Sequence, residues 1–332
     1  MTNIALIGLG FMGRAHLATY KSVPGANIVA VCDRYVDFGK SNVAKGNLSV
    51  GDALPDLTGI NTYADVDKML GTGGFDAVDI CLPTYLHAEV AIKSLRAGYH
   101  VMCEKPMALS KADGLRMTEV ARERSKVLSV GQCLRFWPAY AEVKKFVAEN
   151  TFGRLRHACL ERYSTMPTWS QDNWMADPEK SGLALIDLHI HDLDFILYLL
   201  GRPESVQAHG VAGDQGGIRQ VNALFKYPDA IVMASGGWLA TESFGFRMRA
   251  FFTFEQATVD LDFSREPNLT VYPAGAEPYT PDLAEGDGYQ YELMDFLECI
   301  KKGTFSDIVP PESAAESVGL CRIVEKIIRE NT

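Results

Sequence analysis

An α/β architecture in two parts is predicted by three features of the 332-residue sequence. Short apolar runs alternate with helical segments through the first part of the chain, a glycine-rich turn follows the first run, and strand-like segments later follow one another directly. The alternation predicts a doubly wound parallel sheet over residues 1–130. The change of texture predicts an α+β unit over residues 131–332 with a large, mostly antiparallel open sheet. A chain of this length suits two cores better than one. The last helix is expected to pack back on the first unit.

Each element has its own signal. Residues 3–8 (NIALIG), 27–33 (NIVAVCD), 75–83 (FDAVDICLP), 99–104 (YHVMCE) and 126–132 (KVLSVGQ) read as buried strands. Helical spacing runs from Phe11 to Lys21, over 87–98 with Gly98 as the stop, and from Lys111 to Ser125. Later runs at 154–164, 206–212, 219–228, 230–240 and 246–254 read as sheet strands. In FRMRAFFTF, Phe246, Met248, Ala250, Phe252 and Phe254 share one face, and Arg247, Arg249, Phe251 and Thr253 the other. That second face is too apolar for bulk water and is expected to meet helices or another subunit. Helices are expected at Tyr289–Lys302 and Glu312–Arg329.

Composition excludes several classes. The 22% charged content and 47% hydrophobic content are globular values. The net charge of −10 comes from dispersed acids, without the clustered Lys and Arg that a nucleic-acid surface needs. The N-terminus carries neither a basic n-region nor a long apolar run, and nothing approaches the roughly 20 apolar residues of a membrane helix. No nucleic-acid or membrane partner is expected. The seven cysteines are scattered and form no CxxC pair, which predicts reduced thiols, a cytoplasmic protein and no structural metal.

The glycine-rich turn, GLGFMG, fits G-x-G-x-x-G at the start of a strand–helix unit. Gly8 serves the tight turn, Gly10 the approach of a pyrophosphate, and Gly13 the close packing of helix on strand. The amides of Phe11, Met12 and Gly13 then open the helix toward the phosphates. Asp33 ends the second strand, where a carboxylate accepts from an adenine-ribose diol and repels a 2′-phosphate. NAD is therefore expected, with NADP possible because Arg34 is adjacent. Pro83, Thr84 and His87 follow one strand, and Glu104 and Lys105 another. Strand ends of an open α/β sheet face the ligand, so all five are expected beside the cofactor.

Taken in order, Gly8-x-Gly10-x-x-Gly13, PTYLH (83–87), AGYHVMCEKP (97–106), VGQCLRFWPAY (130–140) and SGLALIDLHIHDLD (181–194) resemble the Gfo/Idh/MocA oxidoreductases. That family includes glucose–fructose oxidoreductase and inositol dehydrogenase. The resemblance covers nearly the whole chain. It implies a Rossmann domain joined to an α/β domain whose open sheet often makes the oligomer interface. It also implies NAD- or NADP-dependent oxidation or reduction of a ring alcohol of a sugar or cyclitol, with Lys105, Asp187 and His191 around the substrate.

The stretch DLHIHDLD (187–194) bears on that chemistry. Ser181 reads as an N-cap and Gly201 as the stop of a helix over 182–200. At about 100° per residue, Asp187, His191, Asp194 and Tyr198 share one stripe and His189 lies about 160° from His191. The two histidines therefore cannot grip one ion, and the stripe gives His191 two carboxylate neighbours that raise its basicity. His191 is assigned as general base, Asp187 as its partner, and Lys105 as donor to the reacting oxygen. His189, where the family often has glycine, is expected at a neighbouring pocket, the sheet or a subunit contact. Arg135, Trp169 and Trp174 are expected to contact substrate.

These readings predict a dehydrogenase for a sugar, sugar derivative or inositol, assembled as a homo-oligomer through the open sheet. The alternatives are a glycosidase of the same family that recycles its NAD, and a sugar-sensing protein that keeps the cofactor fold without catalysis.

Overall fold

The computed structural model describes residues 1–36, 56–213 and 216–331. Strands β1 (Thr2–Ile7), β2 (Ala26–Cys32), β3 (Asn61–Tyr63), β4 (Ala77–Ile80), β5 (His100–Glu104) and β6 (Leu128–Gly131) form one sheet in the order β3-β2-β1-β4-β5-β6. All neighbouring pairs run parallel. Every residue of β4 and β6 is buried, because helices cover both faces, and this is why the strands read as continuous apolar runs. The covering helices are α1 (Phe11–Thr19), α2 (Val66–Thr72), α3 (Thr84–Arg96) and α4 (Lys111–Glu123). Asp65 caps α2 through the Lys68 amide at 2.8 Å, and Ser110 caps α4 through the Asp113 amide at 3.1 Å. With three residues, β3 is too short for any pattern and was not anticipated.

The second unit opens with α5 (Pro138–Ala148) and β7 (Leu155–Tyr163), followed by α6 (Pro178–Ser181), α7 (Leu183–Asp187) and α8 (Ile190–Leu200). Then come β8 (Ser205–Ala212), β9 (Ile218–Lys226), β10 (Ile231–Gly237), β11 (Arg247–Phe254), β12 (Ala257–Asp262) and β13 (Leu269–Pro273). The seven strands order as β13-β12-β11-β7-β10-β9-β8. Only the central β10–β7 pair is parallel, so the sheet is mostly antiparallel. In β11, Met248, Ala250, Phe252 and Phe254 are buried while Arg247, Arg249 and Phe251 are exposed, as the alternation predicts. The buried face joins Tyr140, Val143, Ile186, Leu193 and Phe195 in one core. On the other face the register aligns Leu224, Met233, Cys159 and Phe251 across four strands. Leu224, Met233 and Phe251 keep about two-fifths of their surface exposed there, at 38%, 40% and 40%.

The last two helices tie the units together. Leu293, Phe296 and Cys299 of α9 (Gly288–Lys302) pack on Ile4, Ala77, Met102 and Val127 of the parallel sheet. In α10 (Pro311–Glu330), Ala314 and Ala315 join the core of the first unit, and Val318, Cys321, Val324 and Ile328 that of the second. Arg322 of α10 also donates to the Leu109 carbonyl from Nε at 2.9 Å and Nη2 at 2.6 Å.

One expected element breaks. The helix read over 182–200 is two helices, α7 and α8, interrupted at Leu188 and His189. Gly182 and Leu183 both have positive φ, so Ser181 closes α6 and no helix starts at Gly182. Its hydroxyl accepts the Leu183 amide at 2.9 Å. The Leu188 and His189 amides share the Ala184 carbonyl at 3.1 and 2.8 Å, and the second bond spans five residues. This local widening turns α8 relative to α7, as π-type bulges do. The single stripe over Asp187, His191, Asp194 and Tyr198 is lost with it.

Candidate active site

The parallel sheet sets the stage. The turns after β1, β2, β4 and β5 lie at one edge, and the strand order reverses on either side of β1, which leaves a crevice at the carboxyl ends. Gly8 takes φ +95° in the first turn, and a Cβ there would stand 2.5 Å from the Cys81 carbonyl oxygen. A Cβ on Gly13 would fall 1.8 Å from the Gly8 oxygen, so helix and strand touch backbone to backbone. Gly10 differs: among the described residues nothing beyond its own chain neighbours lies within 4 Å of its Cβ position, as a backbone open to a phosphate group requires. It precedes α1 without a side-chain cap, which leaves the amides of Phe11, Met12 and Gly13 to an incoming anion.

Asp33 stands at the end of β2. Its Oδ2 accepts the Leu9 amide at 2.7 Å, and its Oδ1 the Tyr35 and Val36 amides at 2.7 and 3.0 Å. These bonds fix the carboxylate beside the glycine turn. Arg34 is exposed next to it. Pro83 precedes α3 and Thr84 opens it, both just beyond β4.

Two residues expected at the cofactor have other roles. The Nδ1 and Nε2 atoms of His87 lie 2.7 Å from the carbonyl oxygens of Pro106 and Leu82, so the ring ties the β4 and β5 turns together. Both bonds at once need hydrogen on both nitrogens; the carbonyls favour that protonated ring, while burial opposes it and lowers the pKa. Glu104 is 4% exposed, with Oε1 3.0 Å from His16 Nε2 and Oε2 accepting the Lys105 amide at 2.9 Å. Neither side chain has a polar atom left for a dinucleotide in this arrangement.

Lys105 follows β5 and reaches the second unit. Its Nζ donates to the Asp187 backbone carbonyl at 2.8 Å and stands 3.6 Å from Asp187 Oδ1. His191 lies in the first turn of α8, and its Nδ1 is buried with no hydrogen-bond partner among the described residues. Burial, followed by the positive charges of Lys105 and Arg162, pushes its pKa well below the usual imidazole range. Lys105 thus pairs with Asp187, and its charge acts on the His191 imidazole.

The pairing differs from the expected one. No hydrogen bond joins Asp187 to His191; the Asp187 carboxylate pairs with Lys105. Asp194 lies apart, because Arg135 Nε and Nη2 bind its two oxygens at 2.8 and 2.6 Å. The basicity of His191 is consequently lowered by cations, where two carboxylate neighbours had been expected to raise it. Arg135 is corrected as well. It is 3% exposed and also donates from Nη1 to the Ile308 carbonyl at 2.8 Å and Ser313 Oγ at 2.9 Å. Its guanidinium joins α8 to the segment leading into α10, with four of its five N–H donors used inside the fold. Tyr198 lies over this guanidinium, 4.8 Å from ring centroid to Cζ.

His189 resolves to the sheet among its three expected surroundings. It is fully buried, its Nδ1 is 3.2 Å from Asp192 Oδ2, and a Cβ on Gly236 of β10 would lie 2.7 Å from that Nδ1. Asp192 in turn binds Arg162 of β7 at 2.9 and 3.0 Å. This buried ion pair behind His191 went unnoticed in the sequence, where Arg162 looked like one more charge on a strand.

Trp169 and Trp174 are both half-buried on the segment between β7 and α6. That segment and α6 reach the first unit: Asp172 faces Tyr35 and raises its pKa, and Lys180 Nζ of α6 lies 6.0 Å from the Tyr85 ring centroid.

Known proteins agree with this architecture. Residues 2–132 match a profile described as "Oxidoreductase family, NAD-binding Rossmann fold", and residues 140–259 match "GFO/IDH/MocA C-terminal domain". The scyllo-inositol 2-dehydrogenase (NAD(+)) of Bacillus subtilis is 29% identical over 312 residues, covering 90% of this chain and 86% of that protein. The D-glucoside 3-dehydrogenase of Escherichia coli is 30% identical over 290 residues, covering 82% and 77%. Of some relatives the chain spans about half the length. One is the 2,7-anhydro-N-acetylneuraminate hydratase of Mediterraneibacter gnavus, 28% identical over 62% of this chain and 51% of its own. The solved UDP-N-acetylglucosamine 3-dehydrogenase of Acidithiobacillus ferrooxidans shares the fold with a TM-score of 0.78 at 24% identity, over 99% of this chain and 98% of that one. With both domain profiles matched in order over most of its length, this chain belongs to the Gfo/Idh/MocA oxidoreductase family.

Proposed function

We propose that this protein is an NAD-dependent dehydrogenase that oxidises a ring hydroxyl carbon of a sugar, sugar derivative or cyclitol. The observation that carries the reading is the Lys105–Asp187 pair at the same end of the parallel sheet as the glycine turn, with the Lys105 charge acting on the His191 imidazole. The backbone of Gly8, Gly10 and Gly13 and the first amides of α1 would hold the pyrophosphate. Asp33 would hold the adenine ribose, and Pro83, Thr84 and Lys105 the reactive end. When bound, the dinucleotide supplies the hydride acceptor.

The chain's own residues manage the proton. A base must be unprotonated to act, and burial with the nearby Lys105 and Arg162 charges favours the neutral form of His191. Its Nδ1 is shut away, which leaves Nε2 to take the hydroxyl proton. Lys105 Nζ donates to the same oxygen and stabilises the negative charge that grows as the proton departs. Asp187 holds that ammonium through its carbonyl and carboxylate and is available to a neighbouring hydroxyl. Trp169 and Trp174 offer flat faces to the ring.

Asp33 favours NAD, because its carboxylate would repel a 2′-phosphate; the exposed Arg34 leaves NADP a weaker second choice. The aligned apolar row of Leu224, Met233 and Phe251 supports a homo-oligomer built on the open sheet face. The seven cysteines are all free thiols, and no described helix is long and apolar enough to cross a membrane, which supports a cytoplasmic setting.

A second reading has one observation behind it, the hydratase among the relatives. In this reading, shared with an NAD-recycling glycosidase, oxidation is transient and no reduced cofactor accumulates. A sugar sensor without catalysis is disfavoured because both Lys105 and His191 are in place. A panel of free sugars, glycosides and cyclitols with NAD and NADP, followed at the nicotinamide absorbance and by product analysis, separates them. Net cofactor reduction supports the dehydrogenase. Product formation without it supports the second reading, and tight sugar binding without any product supports the sensor.

A further inference from the structure

Behind the cofactor turn lies a buried polar cluster that the proposed chemistry does not use. His16 of α1 is fully buried, with Nδ1 2.8 Å from Asp79 Oδ2 on β4 and Nε2 3.0 Å from Glu104 Oε1 on β5. Both neighbours are carboxylates, and a carboxylate only accepts, so both bonds exist together only when both ring nitrogens carry hydrogen. The ring is therefore an imidazolium between two anions. The other polar groups packed around it are Cys81 after β4, with Sγ 3.6 Å from Nδ1, Tyr20 after α1, and Tyr289 and Glu292 of α9. Glu292 Oε1 is 3.9 Å from Nε2, and neither of its oxygens has a hydrogen-bond partner. Burial and the Glu104 charge push the Glu292 pKa well up. The ligand-type atoms of His16, Glu104 and Glu292 lie within 4.8 Å of one another, but both imidazole nitrogens already face carboxylates, which argues against a metal.

The cluster has a direction. The α1 helix carries the phosphate turn at its N-terminus, and Glu104 immediately precedes Lys105. The second oxygen of Glu104 accepts the Lys105 amide at 2.9 Å, so the carboxylate is held from both sides. Lys105 Nζ then reaches the Asp187 carbonyl. Hydrogen bonds thus run from the dinucleotide helix through Glu104 to the Lys105 backbone amide, and the lysine side chain carries the ammonium from there to Asp187. Charge-assisted bonds in a dry interior are short and directional, and such a line transmits position.

We propose that His16 is a positioning residue, which acts through Glu104 to set Lys105 against the dinucleotide-binding helix. The proposal rests on the dehydrogenase reading above for its kinetic consequence. His16 touches neither substrate nor cofactor. Its removal should leave dinucleotide affinity nearly intact and impair the step in which Lys105 takes part.

The test is a double-mutant cycle with the full chain. His16→Gln is expected to lower kcat at least tenfold on the best substrate, with the NAD dissociation constant and KM within about threefold of wild type. The His16→Gln/Glu104→Gln double variant is expected to lose no more than the worse single variant, because both act on one line. Competitive acetylation read by mass spectrometry gives a second measure, with the Lys105 rate relative to exposed lysines changing at least threefold in His16→Gln. Should His16→Gln not fold, Asp79→Asn, which removes the other anchor of the ring, passes through the same measurements. A kcat within twofold of wild type, an equal loss of NAD affinity, or losses that multiply in the double variant would overturn the proposal. If the wild type turns over no sugar or cyclitol, the dehydrogenase reading fails on its own. Acetylation then decides for His16: a changed Lys105 rate upholds the proposal and an unchanged one overturns it.

Discussion

Replacing Arg135 by methionine separates a structural arginine from a substrate-binding one. The side chain gives four hydrogen bonds, two of them to Asp194 at 2.6 and 2.8 Å, in a site where Asp194 has no exposed surface. Once the guanidinium is removed, Asp194 keeps only the Ser317 hydroxyl at 2.7 Å among the side chains that bind it. Breaking a buried ion pair from one side costs about 3–5 kcal/mol, most of it the uncompensated charge left behind. At about 2 °C per kcal/mol for a chain of this size, the melting temperature should drop by roughly 6–10 °C. Scanning calorimetry measures the drop. Steady-state kinetics on protein kept well below its transition should give a KM within about threefold of wild type. The Arg135→Met/Asp194→Met double variant should regain part of the loss, since an apolar pair of similar volume removes the stranded carboxylate. A raised KM with an unchanged melting temperature would refute the reasoning and return Arg135 to the substrate.

Other outcomes follow from the same geometry. His191→Asn should lower kcat by about 10²–10⁴-fold, the usual contribution of a positioned acid–base group, with NAD binding by fluorescence titration unchanged. Gly10→Val should leave thermal stability without cofactor nearly as it is, because among the described residues nothing beyond its own chain neighbours lies within 4 Å of the Cβ position, while NAD affinity falls at least tenfold in the same titration. Met233→Glu, in the middle of the aligned apolar row, should give a smaller species by light scattering, with the secondary structure by circular dichroism retained.

The first unit was legible because its physics is local. A strand buried on both faces is apolar throughout, a helix between strands needs a stop such as Gly98, and the glycine turn needs Gly8 and Gly13 where any Cβ would strike backbone. The outward and inward residues of β11 were legible for a similar reason, since alternation has period two. The cluster at 187–191 was readable in composition but not in arrangement. Gly182 and Leu183 at positive φ and the doubly used Ala184 carbonyl rotate α8, and with neither Pro nor Gly between 183 and 200 the sequence carries no signal of such a break. Partners were the other blind spot. Asp194 was read as a neighbour of His191, yet its partner is Arg135, 59 residues earlier in the chain. His16 passed as one polar residue on a helix, because Asp79 and Glu104 meet it only once the parallel sheet has formed.

The pH dependence of kcat/KM on the best sugar or cyclitol, measured for wild type and Lys105→Met, tests the pairing of ammonium and neutral imidazole most directly. The base is active only unprotonated, so rate is lost as pH falls through the His191 pKa, which burial, Lys105 and Arg162 hold well below 6.5. The wild-type acid limb should therefore lie below pH 6.5. Without the Lys105 charge the limb should move to higher pH, and kcat should fall by about 10²–10³-fold as the donor to the oxygen is lost. A wild-type limb above pH 6.5, or a limb that stays in place when Lys105 is removed, would contradict the assignment of His191 as the base that Lys105 keeps neutral.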